Sequence, residues 1–385
     1  MQKGINMKIR KIPLFKVHIP KTVLTPLKQT LFSGYIAEGE KAALFEKKIG
    51  EWLGNENTAI VNSGTSALTL ALYTAGVKYG DEVISTAQTC LATNEPILTL
   101  GGKVIWADVD KTNGNIDPES IEKLITKKTK AIMVVHWTGI PVDLEKIHEI
   151  AKKHNLKVIE DAAHAFGSVY KGEKIGNHSD FVCYSFQAIK HLTTGDGGAI
   201  ACKRKEDYER IKLLRWFGAP RIYSKTSTHW DIEVKEPGFK MHMNDISATI
   251  GIEQLKYVDK IVTTHKNNGK YLQEELSKIK GMTTLRVPKD TESAYWIFGL
   301  LLENKDKRDL FSKYLSEKGI ANSVVHIRND IYELFRNTRR NLPGLDNFSS
   351  KMINIPCGWW LKKADLSYIV KIAKEAMKDI ERSKQ

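Results

Sequence analysis

Cysteine is scarce in this chain, and long apolar runs are missing. The four cysteines, Cys90, Cys183, Cys202 and Cys357, show neither a disulfide framework nor the paired spacing of a metal site. They read as small buried residues of a reducing compartment. No apolar stretch approaches the roughly 20 residues of a membrane-spanning helix, and no signal-peptide pattern stands at the start. A cytoplasmic protein with no membrane partner is the expectation. Internal repeats and low-complexity segments are lacking too.

Charge is not balanced: 59 Lys and Arg against 45 Asp and Glu leave a formal +14. Such an excess suits an anionic partner, either nucleic acid or a phosphorylated small molecule. The lysines, however, are spread through helix-like segments such as 123–130 and 152–157, and no helix-turn-helix, zinc-finger or RNA-binding signature accompanies them. A solvated lysine-rich surface is expected, with no nucleic-acid partner. At 385 residues, 42% hydrophobic and 27% charged, the chain has an ordinary globular composition and the length for two domains.

A helix is predicted over 41–53, with Leu44, Phe45, Ile49, Trp52 and Leu53 on one face and Gly54 as its stop. Apolar, β-branched runs at 58–61, 81–86, 103–108, 131–136 and 157–161 alternate with helix-like segments, and Asp143 is placed to cap one of these. That alternation predicts an α/β fold with a mostly parallel central sheet covered by helices. A long helix over 244–276 leads to a smaller α+β part with strands over 293–301 and 324–330 and a last amphipathic helix over 364–380. We expect a large domain over 1–255, including an N-terminal arm over 1–40, and a small domain over 256–385. The polar stretch 215–230 reads as a mobile flap.

The chemistry concentrates in 180–202. Two short apolar runs flank a loop of small and polar residues with one lysine, Lys190, in its middle. Covalent amine chemistry needs a lysine held at a fixed point, partly desolvated and able to reach a carbonyl carbon; an ordinary surface lysine is the plainer alternative. Upstream, 157–167 reads as a buried strand ending in Asp161, followed by Ala162, Ala163 and His164. A carboxylate at the carboxyl end of such a strand stands where ligands bind in an α/β sheet. Gly64, Thr65 and Ser66 open a helix after the strand 58–61, where free backbone N–H groups suit a phosphate, or where a simple N-cap forms.

Asp161-Ala-Ala-His164, then Ser185-Phe-Gln-Ala-Ile-Lys190, then Thr-Thr-Gly-Asp-Gly-Gly resembles the DegT/DnrJ/StrS family of sugar aminotransferases. These are pyridoxal 5'-phosphate (PLP) enzymes of the aspartate aminotransferase fold, fold type I. The resemblance runs motif by motif from about residue 34 to 255 and more loosely beyond. It implies that Lys190 is the Schiff-base lysine and that Asp161 pairs with the pyridinium nitrogen. It also implies that Thr65, Ser66 and Ser185 serve the phosphate, with Gly64 in the same Gly-Thr-Ser-Ala-Leu match, and that His164 lies near the phenolic oxygen. Cys90 departs from the family, which commonly stacks an aromatic residue on the cofactor there. Lys240 stands where relatives carry Asn that reaches the neighbouring subunit's phosphate, or it faces solvent. Tyr35 lies in a segment like the one lining the substrate cleft. His326 and Arg328, two apart on an expected strand, would share a face toward the substrate, with a surface Arg and a buried His as the alternative. The segment 356–360 resembles the family's closing strand.

The resemblance implies transfer of an amino group from glutamate or glutamine to a keto group of a nucleotide-linked sugar, in a homodimer with shared active sites. Alternatives are an aminotransferase for a small phosphorylated ketone such as dihydroxyacetone phosphate, or a dehydratase on the same scaffold. Some relatives replace the lysine by His and become dehydratases; counting from Ser185 puts Lys190, not His191, at that position.

Overall fold

The computed structural model describes residues 10–220 and 233–382. Part of the expected flap over 215–230 therefore lies outside the described residues. Seven strands form the central sheet in the spatial order Thr58–Val61, Gly198–Cys202, Phe181–Ser185, Lys157–Asp161, Thr129–Val135, Glu82–Thr86 and Lys103–Ala107. Six run the same way, and Gly198–Cys202 is antiparallel to both neighbours. This is the α/β architecture expected from the alternation of runs.

Both faces of this sheet are covered, which is why its strands are apolar at consecutive positions rather than at every second one. Side chains alternate between two cores. Ala59, Val61, Met133, Ile159 and Phe181 pack on one side with Ala67, Leu70 and Ala71 of the helix Gly64–Thr74. Ile60, Ile132, Val134, Val158 and Val182 pack on the other with Phe45, Ile49, Leu144 and Ile147. Asp143 caps the helix Leu144–His154, its side chain accepting from the Lys146 N–H at 3.3 Å.

A 32-residue helix, Asp245–Leu276, starts at the Asn244 cap, whose side chain accepts from the Ser247 N–H at 2.8 Å. It passes unbroken through residue 255 and joins the central core to a third one. That third core lies against a three-stranded antiparallel sheet of Met282–Thr284, Phe298–Leu302 and Met352–Ile355. The last helix, Lys363–Arg382, buries Leu366, Ile369, Val370, Ala373, Ala376, Met377 and Ile380 on it, a spacing of three and four that makes one stripe.

Three predicted strands differ. Over 293–301 the ladder begins only at Phe298. Before it, the N–H groups of Ala294 and Trp296 are spent on the carbonyls of Gly139 and Thr138, in the turn that follows Thr129–Val135. Residues 324–328 form no strand: Val325 sits at φ 63°, the left-handed region, which breaks an extended run. Near 356–360 the strand is Met352–Ile355 and stops before Pro356, which has no N–H for the ladder.

The long helix also fixes the helix Glu40–Leu53. The buried carboxylate of Asp245 accepts from the backbone N–H groups of Gly39 at 2.7 Å, Ala42 at 2.9 Å and Lys41 at 3.2 Å. It thus caps a second helix across two hundred residues, at the end where the helix dipole favours negative charge. Six residues on, Gly251 permits contact, since a Cβ there would fall 2.4 Å from the Phe45 ring. Asp245→Ala should therefore cost about 2 kcal/mol of stability, read as a lowered midpoint of chemical denaturation, with Asp245→Asn losing less. A wild-type midpoint in Asp245→Ala would show that water replaces the carboxylate without loss.

Candidate active site

The carboxyl ends of the parallel strands converge on one edge of the sheet: Val61, Thr86, Val135, Asp161 and Ser185 all end there. Lys190 lies just beyond, in the loop between Phe181–Ser185 and Gly198–Cys202. This loop is tied down by its own backbone, with Phe186 N–H to Gly197 O at 2.8 Å, Thr194 N–H to Phe186 O at 2.9 Å and Lys190 N–H to Gln187 O at 3.0 Å. The half-buried Lys190 side chain ends with Nζ 3.9 Å from the centroid of a Trp296 ring. Burial disfavours the ammonium form and pulls its pKa down to about 8, while Asp161 and Cys90 act in the opposite direction.

Asp161 is buried at its strand end. Its Oδ2 accepts from the Thr93 hydroxyl at 2.6 Å, and its Oδ1 accepts from the Ala163 N–H at 3.0 Å. Because Thr93 gives its one proton to Asp161, the 2.7 Å contact between the Thr89 and Thr93 hydroxyls has Thr89 donating. A carboxylate offers about four acceptor sites, so Asp161 retains capacity for a further donor. His164, buried, stacks on Trp296 at 3.8 Å and 11° and lies parallel to His326 at 5.7 Å, with the Trp137 ring at 5.7 and 5.9 Å from the two. Burial, reinforced by Lys190, holds His164 well below its ordinary pKa and lowers His326 to about 4. Both imidazoles are therefore neutral near pH 7. His164 Nδ1, His326 Nε2, Trp137 Nε1 and Gln88 Nε2 are buried without a hydrogen-bond partner in this structure.

The phosphate-like end is equally explicit. Ser63 caps the helix Gly64–Thr74, its Oγ accepting from the Ser66 N–H at 3.0 Å, and the Ser66 hydroxyl donates to Asn62 Oδ1 at 2.6 Å. Ser66 is thus engaged in the cap, whereas the Gly64 and Thr65 N–H groups have no acceptor within the helix. Gly64 brings this helix end against Ser185, since a Cβ there would fall 2.8 Å from the Ser185 Cβ.

Other predicted residues divide. Cys90 is the N-cap residue of the helix Leu91–Thr99 and acts on the Lys190 charge, so it belongs to the site. His326 joins the aromatic cluster. Arg328 does not: it is bound by Asp330 at 2.6 Å and by Asp346, and the shared strand face with His326 does not form. Tyr35 is 70% exposed, and Lys240 is exposed on an isolated bridge to Trp216, so neither meets Lys190 within this chain. Sequence reasoning missed Thr93, Trp137 and Trp296. Thr93 stands three residues after Cys90, the residue already singled out there, while nothing in the sequence distinguished the two tryptophans from core residues.

The chain matches the model of the DegT/DnrJ/EryC1/StrS aminotransferase family over residues 18–374. It belongs to that family. A UDP-4-amino-4,6-dideoxy-N-acetyl-beta-L-altrosamine transaminase of Campylobacter jejuni is 31% identical over 360 residues, covering 91% of this chain and 94% of the relative. Among solved structures, the sugar aminotransferase CalS13 from Micromonospora echinospora superposes with a TM-score of 0.90 at 36% identity, covering 94% of this chain and 99% of that one. The PLP-form of Spr1654 from Streptococcus pneumoniae does so with 0.89 at 26% identity, covering 96% and 100%.

This DegT-family protein is a PLP-dependent aminotransferase. Its residues fit the cofactor: an amine, a strand-end carboxylate with spare acceptor capacity, an open helix N-terminus and the unpartnered buried nitrogens of Gln88, Trp137 and His164 share one sheet edge, with that of His326 beside His164. Since only a neutral amine attacks a carbonyl and burial lowers the Lys190 pKa, cofactor capture by the apoenzyme should accelerate with rising pH and level off above a midpoint near 8. Stopped-flow absorbance after mixing with PLP measures this. A midpoint near the ordinary lysine value of about 10.4 would contradict it.

Proposed function

We propose that this enzyme transfers an amino group from glutamate or glutamine to the keto carbon of a nucleotide-linked sugar. The reaction type is carried by Lys190, an amine of lowered pKa at the same sheet edge as Asp161. The substrate class is supported by the Campylobacter relative, whose name is that of a UDP-sugar transaminase.

Bound PLP supplies a conjugated, protonated ring that accepts electrons when a proton leaves the carbon bearing the amino group. Asp161 is the residue to keep the ring nitrogen protonated, with Thr93 and Ala163 holding its carboxylate in place. Ser185 and the backbone N–H groups of Gly64 and Thr65 serve the phosphate. With the cofactor bound, Lys190 Nζ would take the proton from the amino donor's α-carbon and hold it at nitrogen; with the keto substrate the same atom would deliver a proton to the former keto carbon. Neutral His164 is available to hydrogen-bond the phenolic oxygen through Nδ1.

The His191 imidazole is committed elsewhere, with Nε2 against the Ala294 carbonyl at 3.0 Å and its ring against His265. This favours transamination by Lys190 over dehydration by a histidine. Arg328, paired with Asp330 and Asp346, offers no free cation to a phosphorylated substrate of either kind. We take the exposed Lys240 and Tyr35 to complete the site of a second subunit in a homodimer, and 1–255 and 256–385 to be its large and small domains.

Glutamate should shift the visible band of the holoenzyme to the pyridoxamine position, and a UDP-linked keto sugar should restore it while dihydroxyacetone phosphate does not. Lys190→Ala should lower turnover at least about 10²–10⁴-fold. Retained turnover would sink the Lys190 assignment, and restoration by the triose phosphate alone would sink the substrate.

A further inference from the structure

We propose that Trp296 is a positioning residue for Lys190, and that the N-terminal segment holds Trp296 in place through Phe15. Trp296 is buried and touches both Lys190 and the residue before it. Its Nε1–H donates to the carbonyl of Ile189, the preceding residue, at 2.9 Å, and its ring lies 3.9 Å from Nζ. One side chain thus fixes the backbone that carries the lysine and the end of the lysine itself. The chain bends to bring it there: Tyr295 sits at φ 46°, in the left-handed region, and the Trp296 N–H is bonded to the Thr138 carbonyl at 3.1 Å.

Phe15 stacks on Trp296 with ring centroids 4.9 Å apart and 27° between planes. The segment carrying Phe15 is strapped to the small part at several points. Ile12 pairs with Ile320, through Ile12 N–H to Gly319 O at 2.8 Å and Ala321 N–H to Ile12 O at 3.0 Å. The indole N–H groups of Trp360 and Trp359 donate to Pro13 O and Lys16 O, each at 3.2 Å. No step of the transfer uses these residues directly, yet together they end at the amine that carries the proton.

The benefit is electrostatic. Lys190 must hold a positive charge at Nζ each time it carries a proton, and burial opposes that charge. The groups acting on it are Asp161 and Cys90 on the strand-end side and the imidazoles of His164, His326 and His191 around it. The imidazoles are neutral, so beside Asp161 and Cys90 it is the face of the Trp296 ring that favours the ammonium form.

The inference rests on Lys190 being the catalytic amine, and the experiment separates the two. Rates of PLP capture by apoenzyme are recorded against pH for wild type, Trp296→Leu, Trp296→Phe, Phe15→Ala and Lys190→Ala, with kcat and KM of the holoenzymes beside them. Trp296→Leu should lower the capture midpoint by about half to one pH unit, the size of a cation–π contact, and lower kcat several-fold at an unchanged KM for the amino donor. Trp296→Phe, which keeps a ring and loses the N–H, should capture more slowly with a smaller shift of midpoint, and Phe15→Ala should move the midpoint in the same direction. If Trp296→Leu fails to fold, the other two carry the test. Wild-type midpoints and kcat in the folded variants, with capture lost in Lys190→Ala, overturn the proposal alone. Capture by Lys190→Ala with the wild-type midpoint overturns the Lys190 assignment and the proposal with it.

Discussion

A lysine that is to exchange a proton with carbon near neutral pH has to be buried enough to give up its charge and held well enough to carry it again. Under the proposed function that compromise falls to Lys190, in a loop between a parallel strand and the antiparallel strand Gly198–Cys202. The loop closes on itself through Phe186, Gly197 and Thr194, which fixes the backbone that carries the lysine. Burial supplies the depressed pKa, and the nearby carboxylate of Asp161 limits how far it falls.

The sheet explains why the other groups arrive at the same place. Parallel strands all present their carboxyl ends to one edge, so the residues after 61, 86, 135, 161 and 185 become neighbours although they are far apart in the chain. The two-sided burial of those strands makes the edge stiff, because each alternate side chain is locked into one of two cores. The Thr89–Thr93–Asp161 chain continues the same principle into the polar groups: each hydroxyl orients the next, and the last orients the carboxylate. A further buried link joins the two parts of the molecule, with Asn329 donating to Thr89 O at 2.9 Å and accepting from Asn94 at 2.8 Å. It places His326 of the C-terminal part over a site built by the N-terminal part.

Much of this was legible because it is local. The runs at 58–61, 131–135 and 157–161 carry the buried-strand signature in their composition. Gly54 and Asn244 mark helix ends by their own chemistry. Lys190, Asp161 and the Gly64 helix start are set by short ordered motifs. The strand expected over 324–330 does not form because Val325 turns the chain and Arg328 finds two carboxylates, one of them 18 residues away.

By itself, therefore, the amino-acid order determined the layered α/β fold, through the alternation of runs over 58–161, and the cofactor class, through motifs set in order along the chain; it also marked Lys190 and Asp161, which the fold brings to one sheet edge. Only the tertiary structure decided that Trp296 meets the amine and that Phe15 stacks on it, with Trp137 beside His164. Trp137, Trp296 and Phe15 come from three distant segments, and their meeting depends on packing between elements, which no local spacing records. The same holds for Asp245, which reads as the first residue of its own helix and caps another. Long-range burial and hydrogen bonding pair such residues by shape and by unsatisfied N–H groups, and those pairings exist only once the chain has folded.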